Sequence, residues 1–285
     1  MKQLLVISGK GGTGKTTIAG SFAVLAKNKV LADCDVDAPN LHLLLKPEVK
    51  MSGDFYGGKK ALIDAEECRQ CGKCVELCRF VAISDDFQVN PLLCEGCGVC
   101  FHACPYEAVS LIDDLSGNWY ISETVYGPFA HARLGVAAEN SGKLVAKVRE
   151  KASELAGEKD KNLIIIDGPP GTGCPVVASL SGVDLALVVT EPTIAGIHDL
   201  VRILGVADHF GVRKAVCINK YDLDQEKSKE IESYCAENGV TVAGKIYYDP
   251  AVSGSLAAAT PLVNYAGNKM ARQVINLWQS VEKLL

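Results

Sequence analysis

An apolar pentad, QLLVI (residues 3–7), runs straight into GKGGTGKTT (9–17), and nothing else in the chain limits its fold as tightly. A short apolar run that ends in a glycine-rich turn reads as a buried strand feeding a loop. TTIAGSFAVLAK (16–27) behind it has helical spacing. Within the loop, GKGGTGKT (9–16) fits G-x-x-x-x-G-K-[ST]. Its glycines let consecutive backbone N–H groups converge on phosphate oxygens at a helix start. Lys15 is placed to neutralise the β- and γ-phosphates, and Thr16 to ligate Mg²⁺. Gly11, Gly12, Thr13, Gly14, Lys15, Thr16 and Thr17 are thus the candidate phosphate contacts of a nucleoside triphosphate.

The same strand-then-helix rhythm returns later. VLADCD (30–35), LIIID (163–167), LALVV (185–189) and AVCIN (215–219) are apolar runs of strand length. Stretches with helical potential lie at about 141–157, 175–181, 196–210 and 224–237. Continuous apolar strands alternating with helices indicate an α/β fold, its mostly parallel sheet covered by helices on both faces. The final stretch, 268–285, puts Met270, Val274, Leu277, Trp278, Val281 and Leu285 on one stripe, as in a closing helix packed on the sheet.

Between about 61 and 112 the alternation stops. IDAEECRQCGKCVELCRFVAI (63–83) and VNPLLCEGCGVCFHACPYEAV (89–109) align at a constant offset, with all four cysteines superposed. Each copy reads C-x2-C-x2-C-x3-C. This implies a pseudo-twofold domain (61–112) inserted into a discontinuous one (1–60 and 113–285). Eight of the twelve cysteines lie between Cys68 and Cys104. Without a secretion signal, that density argues for metal rather than disulfides. Zinc prefers two C-x2-C knuckles joined by a longer spacer, so this spacing fits an iron–sulfur cluster better than a pair of zinc sites.

The insert resembles bacterial two-cluster ferredoxins over its whole length, apart from Arg79, where that pattern has proline. In those proteins the fourth cysteine of each run ligates the other cluster. The resemblance implies one [4Fe–4S] cluster on Cys68, Cys71, Cys74 and Cys104, and a second on Cys94, Cys97, Cys100 and Cys78. The remainder resembles the MinD/ParA/Mrp and nitrogenase-iron-protein group of P-loop ATPases with a deviant Walker A motif. The resemblance rests on Lys10 in the loop, DCDVDAPN (33–40), DGPPGTG (167–173), TEPTIAGIHD (190–199) and INK (218–220). It implies a homodimer sandwiching two nucleotides, with Lys10 crossing to the partner's phosphates. Asp35 would position the attacking water, Asp167 would hold the Mg²⁺ shell, and Asn219 would recognise the base. Asp33 and Asp37 are either switch residues or polar loop residues. NKYD (219–222) also fits the N-K-x-D guanine reader, though the phosphate loop and switches favour ATP over GTP.

Cys174 stands seven residues after Asp167, the offset of a cluster cysteine in the nitrogenase iron protein. It is either a dimer-interface metal ligand or a small residue at a helix start. The net charge of −5 gives no footprint for nucleic acid. No apolar run approaches the ~20 residues of a membrane span, and the chain reads as cytoplasmic. The leading expectation is a dimeric ATPase whose nucleotide state gates electron transfer from two clusters to a partner metalloprotein. The alternatives are an Mrp-like iron–sulfur or metallocluster carrier, and a MinD/ParA-like positioning protein with redox-sensing clusters.

Overall fold

The computed structural model describes residues 1–135, 138, 141–265 and 269–285. Two compact units form: Met1–Gly53, Trp119–Arg133 and Ser141–Leu285 make the first, Asp54–Asn118 and Leu134–Asn140 the second. The chain enters the first unit through β1 (Lys2–Ser8), α1 (Lys15–Leu25), β2 (Lys29–Asp33) and α2 (Leu41–Leu45). It leaves along β3 (Glu48–Ile63), forms α3 (Lys73–Leu77) and α4 (Val99–Ala103), and returns along β4 (Val109–Thr124). The first unit then continues through β5 (Gly127–Leu134), α5 (Ser141–Glu158), β6 (Leu163–Pro170), α6 (Cys174–Leu180), β7 (Leu185–Thr190) and α7 (Ile194–His209). It closes with β8 (Arg213–Asn219), α8 (Gln225–Glu237), β9 (Thr241–Ile246), α9 (Ala251–Ala257), α10 (Leu262–Tyr265) and α11 (Lys269–Leu284).

The strand order is β3-β4-β5-β2-β6-β1-β7-β8-β9. Every neighbouring pair from β5 to β9 in that order is parallel. Only Val125 and Tyr126 join β4 to β5, a link so short that those two strands run antiparallel. Each apolar run read from the sequence forms a strand, except that β2 stops at Asp33 and leaves Cys34 and Asp35 in the loop after it; β1 lies between β6 and β7. Successive side chains of a strand face opposite ways. Leu4, Val6, Leu31, Ile165 and Leu187 pack with Ile18, Phe22, Val274 and Trp278 of α1 and α11. Their alternates Leu5, Ile7, Ile164, Ile166 and Val188 are equally buried, so helices cover both faces. Trp278 meets Phe22 with ring centroids 5.0 Å apart, and Met270, Val274, Leu277 and Val281 are buried beside it. Each such side chain contributes about 1.5–3 kcal/mol by leaving water. Asn268, the first residue of the expected closing helix, lies outside the described residues.

Parallel strands end on one edge of a sheet. The loops after β1, β2, β6, β7, β8 and β9 therefore share that edge, where open α/β sheets bind ligands.

The second unit spans Asp54–Asn118 with part of 134–140, a wider stretch than the 61–112 marked by the cysteine repeat. Residues 54–60 of β3 and 113–118 of β4, with that part of 134–140, make up the difference. Within this unit, Ala61, Ala82, Cys94 and Val109 form a small core, flanked by Ile63, Cys78, Phe80, Val89, Cys100, Cys104 and Leu111. Among the described residues, no helix is long and apolar enough to cross a membrane.

Candidate functional site

The loop after β1 opens α1 without any side-chain cap, and Gly14 takes the capping position at φ 96°. The first N–H groups of a helix have no partner inside it, so here they are left for an anion. Gly14 is required twice over. Its φ lies in the left-handed region, and a Cβ there would stand 2.5 Å from Asn219 Nδ2. That amide nitrogen donates to the Thr13 carbonyl at 2.7 Å, which ties the loop after β8 to the loop after β1. Asn219 Oδ1 accepts the Lys220 N–H at 3.0 Å. One further N–H and one further lone pair of the Asn219 amide stay available.

A cleft of about 790 Å³ opens from this loop. Gly11, Gly12, Gly14, Lys15, Thr16, Thr17, Asp35 and Asp37 line its polar end; Tyr247, Val252, Leu256, Leu262, Met270 and Val274 line the other. Asn219 and Lys220 stand in its wall. Asp222, the last residue of the NKYD match, accepts the Tyr248 N–H at 2.6 Å and so braces the wall segment 247–249.

Behind the polar end, Asp33 and Asp167 are neighbours across the β2–β6 pair. Both are fully buried. Asp33 accepts the N–H groups of Asp35 and Leu41, each at 3.1 Å. Neither Asp167 oxygen accepts a well-formed hydrogen bond, and the Thr13 hydroxyl is likewise buried without a partner. Burial pushes the Asp167 carboxyl up to about 7, opposed by the nearby Thr16 hydroxyl and the Lys15 charge. Burial, then the Asp167 charge, raises Asp33 well above the carboxylate range. Burial also raises Asp35, against the pull of Lys15. An unpaired buried carboxylate beside a threonine hydroxyl is suited to a hydrated divalent cation, which would restore its charge.

Lys10 does not point into the cleft. Its ammonium is 3.1 Å from Glu191 Oε2 and 3.4 Å from the Thr193 hydroxyl. The other Glu191 oxygen pairs with Lys220. Glu191, just past β7, was not singled out from the sequence; its position immediately after an apolar strand's carboxyl end was the available signal.

In the second unit, Cys68, Cys71, Cys74 and Cys104 line one cavity with Arg69, Gly72 and Lys73. Cys78, Cys94, Cys97 and Cys100 line another with Glu95, Gly96 and Gly98. Each encloses about 20 Å³. The Ala61 and Ala82 N–H groups lie 3.4 Å from the sulfurs of Cys94 and Cys78. No three Cys, His, Asp or Glu among the described residues converge closely enough for a single metal ion. Cys174 is exposed at the first position of α6. Cys34, Cys217 and Cys235 are buried, and burial raises all three thiols, Cys217 to about 12.

A parallel sheet whose central strand ends in a glycine-rich loop at a helix start, beside a buried carboxylate on the next strand, defines a P-loop nucleotide-binding fold. The CbiA family, the CobQ/CobB/MinD/ParA nucleotide-binding domain, matches residues 4–262, and the chain belongs to it. It is a MinD/ParA-type P-loop ATPase. An uncharacterised Methanocaldococcus jannaschii protein, MJ0578, is 41% identical over 76% of this chain and 78% of its own length. The septum site-determining protein MinD of Escherichia coli is 26% identical over 71% of this chain, which spans 57% of that relative. Among solved structures, Pyrococcus horikoshii MinD with Mg-ADP shares the fold at TM-score 0.63 and 19% identity, over 99% of this chain and 96% of that one.

Proposed function

We propose that this ATPase is a dimer whose nucleotide state gates electron transfer from two [4Fe–4S] clusters to a partner metalloprotein. The observation that carries this reading is the pair of cysteine cavities in a chain that also holds a phosphate loop. At each cavity, three thiols come from one repeat and the fourth from the other. Four thiolates at each cavity are the number that a [4Fe–4S] cluster takes. Each cluster would supply a one-electron couple.

The chain's own residues divide the remaining work. Lys15 and the loop N–H groups would hold the triphosphate, while Thr16 and Asp167 would hold Mg²⁺. Asp35 would orient the attacking water, with Lys10 acting on the partner's phosphates. The spare N–H and lone pair of Asn219 suit an adenine edge. Asp222, committed to the Tyr248 N–H, is less suited to reading guanine. The insert follows the 33–40 segment in sequence and precedes 167–173, the two segments through which a γ-phosphate would change conformation.

Anaerobic purification with iron, acid-labile sulfide and EPR analysis tests the reading. It predicts about eight iron per chain and a reduced-cluster signal. Zinc in place of iron would refute it. The carrier alternative has one foothold, the exposed Cys174; Cys174→Ser would cripple metal transfer but leave a reductase nearly unchanged.

A further inference from the structure

Glu191 is 8% exposed, yet each of its oxygens meets a lysine from a different loop. Lys10 comes from the phosphate loop, at 3.1 Å from Oε2, and Lys220 from the loop after β8, at Oε1. Both lysines hold the Glu191 carboxyl below its ordinary range against the opposing effect of burial, so it carries its charge at neutral pH. The Thr193 hydroxyl gives Lys10 a second acceptor while also capping α7 by accepting the Gly196 N–H at 2.9 Å. The early lysine of the loop is therefore held within its own subunit, away from the cleft that it adjoins in sequence.

We infer that Glu191 is a positioning residue that parks Lys10 in the separated subunit and must release it before the ATP-bound dimer closes. Lys220 makes release feasible. A buried carboxylate left with no partner is costly, but one that keeps a second lysine is not stranded when the first departs. Lys220 also lies 3.5 Å from the Gly12 carbonyl, so the exchange is linked to the loop that would carry the phosphates. The inference rests on the proposed action of Lys10 across the dimer.

The test is the protein concentration for half-dimerisation with a saturating non-hydrolysed ATP analogue, read by sedimentation. It is applied to the wild-type chain and to Glu191→Gln, Lys10→Gln, Lys220→Gln and the Lys10→Gln/Glu191→Gln pair. Glu191→Gln should lower that concentration severalfold. Lys10→Gln should raise it, and the double variant should match Lys10→Gln, because Glu191 acts only through Lys10. Lys220→Gln leaves Lys10 as the sole partner of Glu191 and should raise it. A purely structural Glu191 would have both Glu191→Gln and Lys220→Gln shift the same way. That result, or a wild-type value for Glu191→Gln while Lys10→Gln dimerises poorly, overturns the inference alone. Equal dimerisation of wild type and Lys10→Gln refutes the trans role itself. If Glu191→Gln does not fold, the direction of Lys220→Gln decides.

Discussion

The two units present their candidate ligand sites on unlike foundations. The phosphate loop projects from a sheet whose central strands are buried throughout, over a core that runs from Leu4 and Phe22 to Trp278. The cysteine loops surround a core of four buried residues, one of which is Cys94. Three more candidate ligands, Cys78, Cys100 and Cys104, pack against that core. In the first unit the scaffold precedes the ligand. In the second the candidate ligands are much of the scaffold, and a small domain with so little apolar core depends on what it binds.

Removing a cysteine should separate the units most sharply. Cys94→Ser should lose one cluster and make the second unit protease-sensitive, while binding of an ATP analogue stays within about twofold of wild type, since one unit's core does not supply the other's. Limited proteolysis and nucleotide titration on the same sample check both halves. A parallel loss of nucleotide binding would break the comparison.

Asp167 sharpens it from the other side. Its carboxyl is raised to about 7 in the folded chain, and Asp33 moves in the same direction. As pH rises from the unfolded carboxylate value, near 4, towards 7, the unfolded chain ionises first. The nucleotide-free protein should lose stability across that window and level off above it. Asp167→Asn should flatten the slope and raise the melting temperature near pH 8 by a few degrees, while losing Mg²⁺-dependent hydrolysis. Thermal melts from pH 4 to 8, with and without MgADP, provide the readout.

Much of this was legible in the sequence, for a physical reason. Strands buried on both faces write themselves as unbroken apolar runs, and LIIID and LALVV lie in β6 and β7. β3 and β4 gave no such signal. EVKMSGDFYGGKKALI is mostly exposed and rich in lysine and glycine, as edge strands are. The loop after β1 could be read because its mechanism needs residues at fixed spacing. The Lys10–Glu191–Lys220 arrangement could not, because pairing across 181 residues leaves no local pattern. NKYD was visible as a motif, but its Asp222 bond to Tyr248 was not.

Within the second unit, the glycines provide a smaller contrast. A Cβ at Gly96, φ +60°, would stand 1.9 Å from the Lys59 carbonyl oxygen, whereas one at Gly72, φ +81°, would meet nothing within 4 Å. Gly96→Ala should cost several kcal/mol and reduce iron content. Gly72→Ala should cost about 1 kcal/mol, the left-handed strain alone. Denaturant titration of both variants decides the order. The smallest effect belongs to Asp222→Ala, which should weaken ATP binding a few-fold without raising affinity for GTP. A gain in GTP affinity would show the wall to be flexible.

The central claim is that nucleotide state reaches the clusters. The most direct test is an anaerobic redox titration followed by EPR, without nucleotide, with MgADP, and with a non-hydrolysed ATP analogue. A downward shift of about 59 mV or more with the analogue, tenfold in equilibrium, is the predicted result. Potentials and line shapes that stay fixed while the analogue is bound would contradict it.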